Sequence, residues 1–293
     1  MMLIERVLAP LFPTVVNELR AASSGYDGIV VNDLLAFALL GEAPLPGIRV
    51  VVAVLTQPCG GLSSFLQERR GLKLIASSRA LHPHDIELGD DYVFTNHWLM
   101  ETKRAFAPST SLQHFLSAGP TVAVTMGSAW GRNPNLERTL FVAAAKKAGV
   151  RLVVQELPAV RRPRKMEPGI LSIGEIPYDW LFSHVTCVLH HGGAGTSAIA
   201  LRAGRPCITL PQYGDQHYWA LRLEMLGASA ATLTDSRITV DALAEAMHRG
   251  ASEPGLRTAA IALGKKIDTR AGLLTACERI EEDLAMNCSP DHP

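Results

Sequence analysis

Cysteine is sparse and unpatterned in this sequence, charge of neither sign is in excess, and no apolar run is long. The five cysteines (Cys59, Cys187, Cys207, Cys277 and Cys288) never fall at a CxxC spacing. They give no basis for a disulfide framework or a zinc site, and buried thiols in a reducing compartment are expected. Acidic and basic residues number 28 each, so no long-range field draws the chain to nucleic acid or to an anionic membrane. The local exception is "RRPRK" (Arg161, Arg162, Arg164, Lys165), expected to be a solvated loop because prolines and Gly169 surround it. No run approaches the length of a membrane-spanning helix, so stable membrane insertion is not expected. Glu5 interrupts the start, and no apolar core with a cleavage site follows it, so no signal peptide is read and a cytoplasmic location is expected.

What is present is enough apolar matter for one large or two ordinary cores: 47% of 293 residues are hydrophobic. From Gly119 the punctuation is regular. "TVAVTM", "VRLVVQE", "ILSIGE", "VTCVLHH", "PCITLP" and "ASAATL" read as strands. Between them lie helical stretches, such as "NPNLERTLFVAAAKKAG" with Pro134 at its first turn and Gly149 as its stop. "TSAIALRAG" and "DQHYWALRLEMLG" are two more, and helical stretches at Val240 to Arg249 and Gly255 to Leu284 end the chain. Alternating strands and helices imply right-handed crossovers and a parallel sheet covered on both faces. Ahead of Gly119, "LIERVLAPLFPTVVNELRAA" reads as a helix, or as two broken at Pro10 and Pro13. "GIVVND", "IRVVVAVLTQ" and "LKLIASS" read as strands, and "YVFTNHWLM" leads into a connection. Three strands are few for a doubly wound sheet.

The segment "LHHGGAGTSAIALRAGRPCITLPQYGDQ" carries the chemistry. After a strand come His190, His191, Gly192, Gly193, Ala194, Gly195, Thr196 and Ser197, and then a helix. Glycines there let backbone approach a ligand, and the first amides of a helix are free to donate to an anion. Phosphate is the natural guest; the hydroxyls of Thr196 and Ser197 can donate to it or cap the helix. The spacing also fits a dinucleotide fingerprint with Asp215 downstream. A metal site from His190, His191, Asp215 and His217, or a glycine-tight turn with buried histidines, are further readings. Two adjacent histidines beside an unfilled helix terminus are hard to justify by packing alone.

"HHGGAGT" followed by "ALRAGRPCITLPQYGDQHYWALRLEMLGAS" closely resembles the donor-binding segment of GT-B glycosyltransferases. The branch is that of the macrolide, flavonoid, rhamnolipid and sterol enzymes. "IPYDWLF" is similar to the "PHDWLF" of the sterol type, with Tyr178 in place of His; "VAVTMGS" is similar to the strand ending near the diphosphate. "VFTNHW" resembles the "TGFW" ahead of the interdomain linker, departing at Asn96 and His97, and "IASSRALHP" has the same flavour. The likeness covers Val93 to about Arg249 well and Tyr26 to Ser78 loosely. It implies an α/β, GT-B-like fold class. A complete C-terminal doubly wound parallel-sheet domain (119–293) would follow a linker (99–118) and an N-terminally shortened α/β domain (1–98).

The resemblance also implies roles. Ser128, His190, Gly192, Gly193, Ala194, Gly195 and Thr196 would cradle the donor diphosphate. Asp215 and Gln216 would hydrogen-bond the transferred sugar, although Asp215 is also a natural N-cap. The tryptophan that stacks on the base in plant and macrolide relatives is replaced by Glu175, leaving Glu175 and Ile176 as candidate base contacts. Trp180 and Trp219 read as core or helix-face aromatics. Neither metal nor cofactor is implied; the donor would be a UDP- or TDP-linked sugar, and the leaving charge would be held by hydrogen-bond donors. The family's opening strand, glycine turn and general-base histidine have no counterpart, as if the chain started about two βα units late. His82, His84 and His97 read as loop or packing residues. A parallel sheet lacking its leading units exposes an edge, so a homo-oligomer or a complementing subunit is expected. Two functions follow. One is an inverting, metal-independent hexosyl transfer to a hydroxyl of a small-molecule or lipid-like acceptor. The other is a truncated, non-catalytic nucleotide-sugar-binding module or partner subunit.

Overall fold

A computed structural model describes residues 26, 28–32, 49–54, 71–84, 88–99, 106–127, 134–155, 164–234 and 237–287. The opening helical stretch, Cys59, Cys288, Arg161, Arg162 and Ser128 lie outside the described residues. The chain divides into two compact units: Met1–Trp98 with Asp268–Pro293, and Leu99–Ile267.

The first unit holds a parallel sheet in the order β1 (Gly28–Asn32), β2 (Arg49–Val54), β3 (Lys73–Ile75), β4 (Tyr92–Phe94). β4 is a strand more than the sequence reading found. Its three residues are half-buried and flanked by Asp91 and Thr95, so no apolar run marks it. The helix Thr269–Asn287 belongs to this unit, whereas chain order alone had assigned it to the other. Ala276 and Ile280, one turn apart, pack on Val51, Leu72 and Leu74 of the sheet. Gly272 makes that approach possible, since a Cβ there would lie 2.3 Å from the Thr95 carbonyl oxygen.

The second unit has the sheet order β11-β10-β9-β5-β6-β8-β7. In chain order these are β5 (Thr121–Thr125), β6 (Arg151–Gln155), β7 (Arg164–Glu167), β8 (Ile170–Ile173), β9 (Cys187–His190), β10 (Cys207–Thr209) and β11 (Ser229–Thr232). All pairs are parallel except β7 with β8. β7 corrects the reading of "RRPRK" as a loop: Arg164 and Lys165 pair with Ser172 and Leu171 in an edge hairpin. Charged residues are common on edge strands, where they discourage pairing with another chain.

The described helices of this unit are α1 (Thr110–Ser117), α2 (Pro134–Ala148), α3 (Tyr178–Ser183), α4 (Ala194–Arg202), α5 (Gln216–Met225), α6 (Val240–Ser252) and α7 (Pro254–Gly264). α1 falls within the stretch read as a linker. Ser109 caps it by accepting from Leu112 N at 3.3 Å, and Arg151 Nε donates to its Phe115 carbonyl at 3.0 Å. The single helix read from Gly255 to Leu284 is two, α7 and α8 (Thr269–Asn287), separated at residues 265–268. Phe141, Ala144 and Ala145 of α2 and Leu243 and Met247 of α6 close over Val122, Val124, Leu152, Val154, Leu189 and Ile208. Among the described residues no helix is long and apolar enough to cross a membrane.

Candidate functional site

In the second sheet the chain steps outward from β5 through β6 to β8, then returns to β9 on the other side of β5. Crossovers therefore diverge between β5 and β9. In doubly wound folds the crevice at the carboxyl ends of such a pair is where ligands bind.

A polar row runs along this edge. Thr125 of β5 registers with His190 of β9, His190 with Thr209 of β10, and Thr209 with Thr232 of β11. Their neighbours Val124, Leu189 and Ile208 point into the α2–α6 core, so the polar side chains face the other way. The row continues to β6 through side chains. Thr125 Oγ1 donates to Gln155 Oε1 at 2.9 Å, Tyr178 OH donates to the same oxygen at 2.7 Å, and the two hydroxyl oxygens are 2.5 Å apart. Gln155 Nε2 donates to the Gly174 carbonyl at 3.3 Å, tying in the loop that carries exposed Glu175 and buried Ile176. Burial pushes the Tyr178 phenol above its ordinary range, so it stays a neutral donor. Tyr178→Phe should cost about 1 kcal/mol, the net worth of one buried hydrogen bond. Thermal unfolding should show it as a midpoint about 2–4 °C lower; no change would mean that Thr125 and Gln155 satisfy each other.

The two histidines differ sharply. His190 is 0% exposed, and its Nδ1 accepts from Gly192 N at 3.0 Å. The neutral ring therefore carries its proton on Nε2, a buried atom without a hydrogen-bond partner. Burial first, then the neighbouring His191, push its pKa down to about 3. His191 lies at the mouth, half-buried, its ring 6.2 Å from and perpendicular to that of His190. Two glycines leave room for it. A Cβ at Gly193 would stand 2.5 Å from His191 Nε2, and one at Gly127, where φ is +56°, 3.4 Å from His191 Cε1. The imidazole thus lies between the turn after β5 and the start of α4. Its Nδ1 is buried without a hydrogen-bond partner, and burial lowers its pKa too.

α4 opens at Gly193 with no side-chain cap. Ser197 Oγ is turned back to the Gly193 carbonyl at 2.9 Å, so the cap reading for that hydroxyl does not hold. The amides of Ala194, Gly195 and Thr196 fall in the first turn, where a helix provides no acceptors of its own. Gly192, with φ +87°, brings this turn onto the start of α5: a Cβ there would lie 2.9 Å from the Gln216 carbonyl oxygen. Gln216 Oε1 accepts from Gln212 N at 2.9 Å and Tyr213 N at 3.4 Å. Asp215 does not cap α5; its Oδ2 accepts from Trp219 Nε1 at 3.0 Å. Trp219 is buried, as a core aromatic should be. Among the described residues no group of three or more His, Cys, Asp or Glu is placed to hold a metal ion, so the His190–His191–Asp215–His217 arrangement does not assemble.

The fold therefore brings His190, the Gly192–Thr196 turn and the Asp215–Gln216 turn to one crevice, with Glu175 and Ile176 three strands along the same edge. The sequence reading gave the diphosphate contact to His190, named His191 only beside it and in a metal set, and noted Tyr178 only as a replacement for His. The doubled histidine held part of the signal: strand alternation turns successive side chains to opposite faces, so the two rings had to meet different surroundings.

Residues 144–271 match the family described as erythromycin biosynthesis protein CIII-like, C-terminal domain. This stretch of the chain is similar to that C-terminal domain. The match runs from within α2 to the start of α8 and includes β9, α4 and the Asp215–Gln216 turn. The O-mycaminosyltylonolide 6-deoxyallosyltransferase of Streptomyces fradiae is 34% identical over 191 residues, 64% of this chain and 44% of that protein. The sterol 3-beta-glucosyltransferase of Saccharomyces cerevisiae (strain YJM789) is 28% identical over 239 residues, 77% of this chain and 20% of that protein. The chain thus spans less than half the length of these curated relatives. A solved spinosyn rhamnosyltransferase superposes with a TM-score of 0.73 over 92% of this chain and 78% of its own, at 20% identity. The same enzyme complexed with thymidine diphosphate gives 0.71 at 21% identity. The α/β, GT-B-like class expected from the sequence is thereby shown.

Proposed function

We propose that the chain is a glycosyltransferase that moves a hexose from a UDP- or TDP-sugar to a hydroxyl of a small-molecule or lipid-like acceptor. One observation carries the reading: an uncapped helix terminus and a desolvated imidazole meet at the switch point of a doubly wound sheet. In direct displacement the acceptor oxygen bonds to the anomeric carbon as the bond from that carbon to the diphosphate breaks, inverting the centre, and the hydroxyl proton is released to water. Charge then grows on the leaving phosphate. His191 and the first-turn amides of α4 would hold it without a metal, and their donors are fixed before the reaction begins. Asp215 and Gln216 stand beside this cradle to meet sugar hydroxyls. Their anchoring to Trp219 and to the 212–213 backbone orients them.

Support comes from the relatives, whose names include a deoxyallosyl and a glucosyl transferase, and from the thymidine diphosphate held by the rhamnosyltransferase. Calorimetric titration with UDP and TDP tests the reading. At least one should bind at micromolar concentration. Gly193→Ala should abolish that binding, because the added methyl takes the space of the His191 ring. Failure of both nucleotides to bind at millimolar concentration would overturn the proposal.

A further inference from the structure

Away from the switch point, α1 and α3 flank an open surface hollow of about 550 Å³, a size that suits a small ligand. Pro108, Leu116 and Trp180 supply its apolar surface. Thr110, Gln113, His114, Ser117 and His184 supply the polar groups, and among the described residues no Asp, Glu, Lys or Arg lines it.

The wall formed by α3 is held in place. Trp180 stacks on His184 with ring centroids 4.2 Å apart and 23° between planes, and Phe106 packs against it at 4.9 Å. His184 Nδ1 lies 2.8 Å from the Trp180 carbonyl oxygen, which can only accept, so Nδ1 carries the proton and Nε2 is left as an acceptor. Arg205 clamps the end of the helix, donating to the Phe182 carbonyl at 3.0 Å and to the Ser183 carbonyl at 2.6 Å. On the other wall Ser117 Oγ donates to the His114 carbonyl at 3.1 Å and so presents lone pairs, while Gln113 offers both donor and acceptor.

An aromatic surface rimmed by hydroxyl, amide and imidazole groups, with no carboxylate, ammonium or guanidinium among the described lining residues, offers an ionic ligand little to offset its desolvation. It suits a molecule with an apolar face and a circle of hydroxyls. We propose that this hollow is a second, donor-independent site for a neutral saccharide, taking a pyranoside with its C–H face against Trp180 and its hydroxyls on Gln113, Ser117 and His184. The site is independent of the diphosphate cradle and stands whether or not nucleotides bind there.

Saturation-transfer NMR with methyl β-D-glucopyranoside, on the full chain saturated with UDP, tests it. The expected result is transfer to the ring C–H protons at millimolar affinity, lost in Trp180→Ala and weakened at least threefold in Gln113→Ala. Gln113 lies on the exposed side of α1, so that variant keeps the test valid if Trp180→Ala fails to fold. Glucose 6-phosphate should bind at least tenfold more weakly. No transfer in the wild type, transfer unchanged in Gln113→Ala, or equal binding of the phosphorylated sugar would overturn the proposal.

Discussion

His191→Ala is expected to weaken binding of UDP or TDP by about 10- to 100-fold while leaving thermal stability nearly unchanged. The magnitude follows from one hydrogen bond to a charged group, about 1.5–3 kcal/mol, at 1.4 kcal/mol per tenfold. The dissociation from stability follows from position. The ring is half-buried between Gly127 and Gly193, and its Nδ1 has no hydrogen-bond partner for the substitution to strand. His190→Ala should show the reverse pattern, because that ring is fully enclosed in β9 and satisfies the Gly192 amide. Removing it leaves a cavity and an unpaired amide, which together cost stability before they touch a ligand. Calorimetry and thermal melts on both variants separate the roles. Equal loss of affinity with intact stability in both would show that the two rings share the phosphate.

The second large effect is on acid stability. His190 has a folded pKa of about 3 against 6.5 for an ordinary imidazole. The unfolded chain takes up a proton as pH falls through 6.5, and the folded chain does not until pH approaches 3. Stability from this group is therefore complete above pH 6.5 and lost progressively below it. Between pH 7 and pH 5 the loss is about 2 kcal/mol, at about 1.4 kcal/mol per pH unit once the unfolded imidazole is protonated. Denaturant unfolding at the two pH values should show it. His190→Asn, which keeps an acceptor for the Gly192 amide but does not titrate, should lose about 2 kcal/mol less over that interval. Parallel losses in the two proteins would mean that other groups govern the acid limb.

The regular half of the fold was legible because its strands are fully enclosed. A strand buried on both faces must be apolar along its whole length, and "TVAVT" and "VTCVL" announce that without reference to any partner. β4 is half-buried and three residues long, and carries no such mark. β7 is written in charges and is known as a strand only by its pairing with β8. α8 was placed by chain order, yet its register of Ala276 and Ile280 meets Val51, Leu72 and Leu74. An amphipathic face records that a helix must dock, but not on which sheet.

The site divides in the same way. The sequence by itself determined that a glycine-rich turn follows an apolar strand and opens a helix, and that an anion suits such a place. Those properties belong to backbone freedom and unpaired amides, which are local. Only the tertiary structure decided which histidine stands at the mouth, because burial on one face of a sheet is set by the helices that cover it. It also decided that Asp215 is spent on Trp219 rather than on a cap, and that Thr125, Gln155 and Tyr178 form one network. These residues lie up to 53 positions apart, and what brings them together is the parallel register of strands distant in sequence.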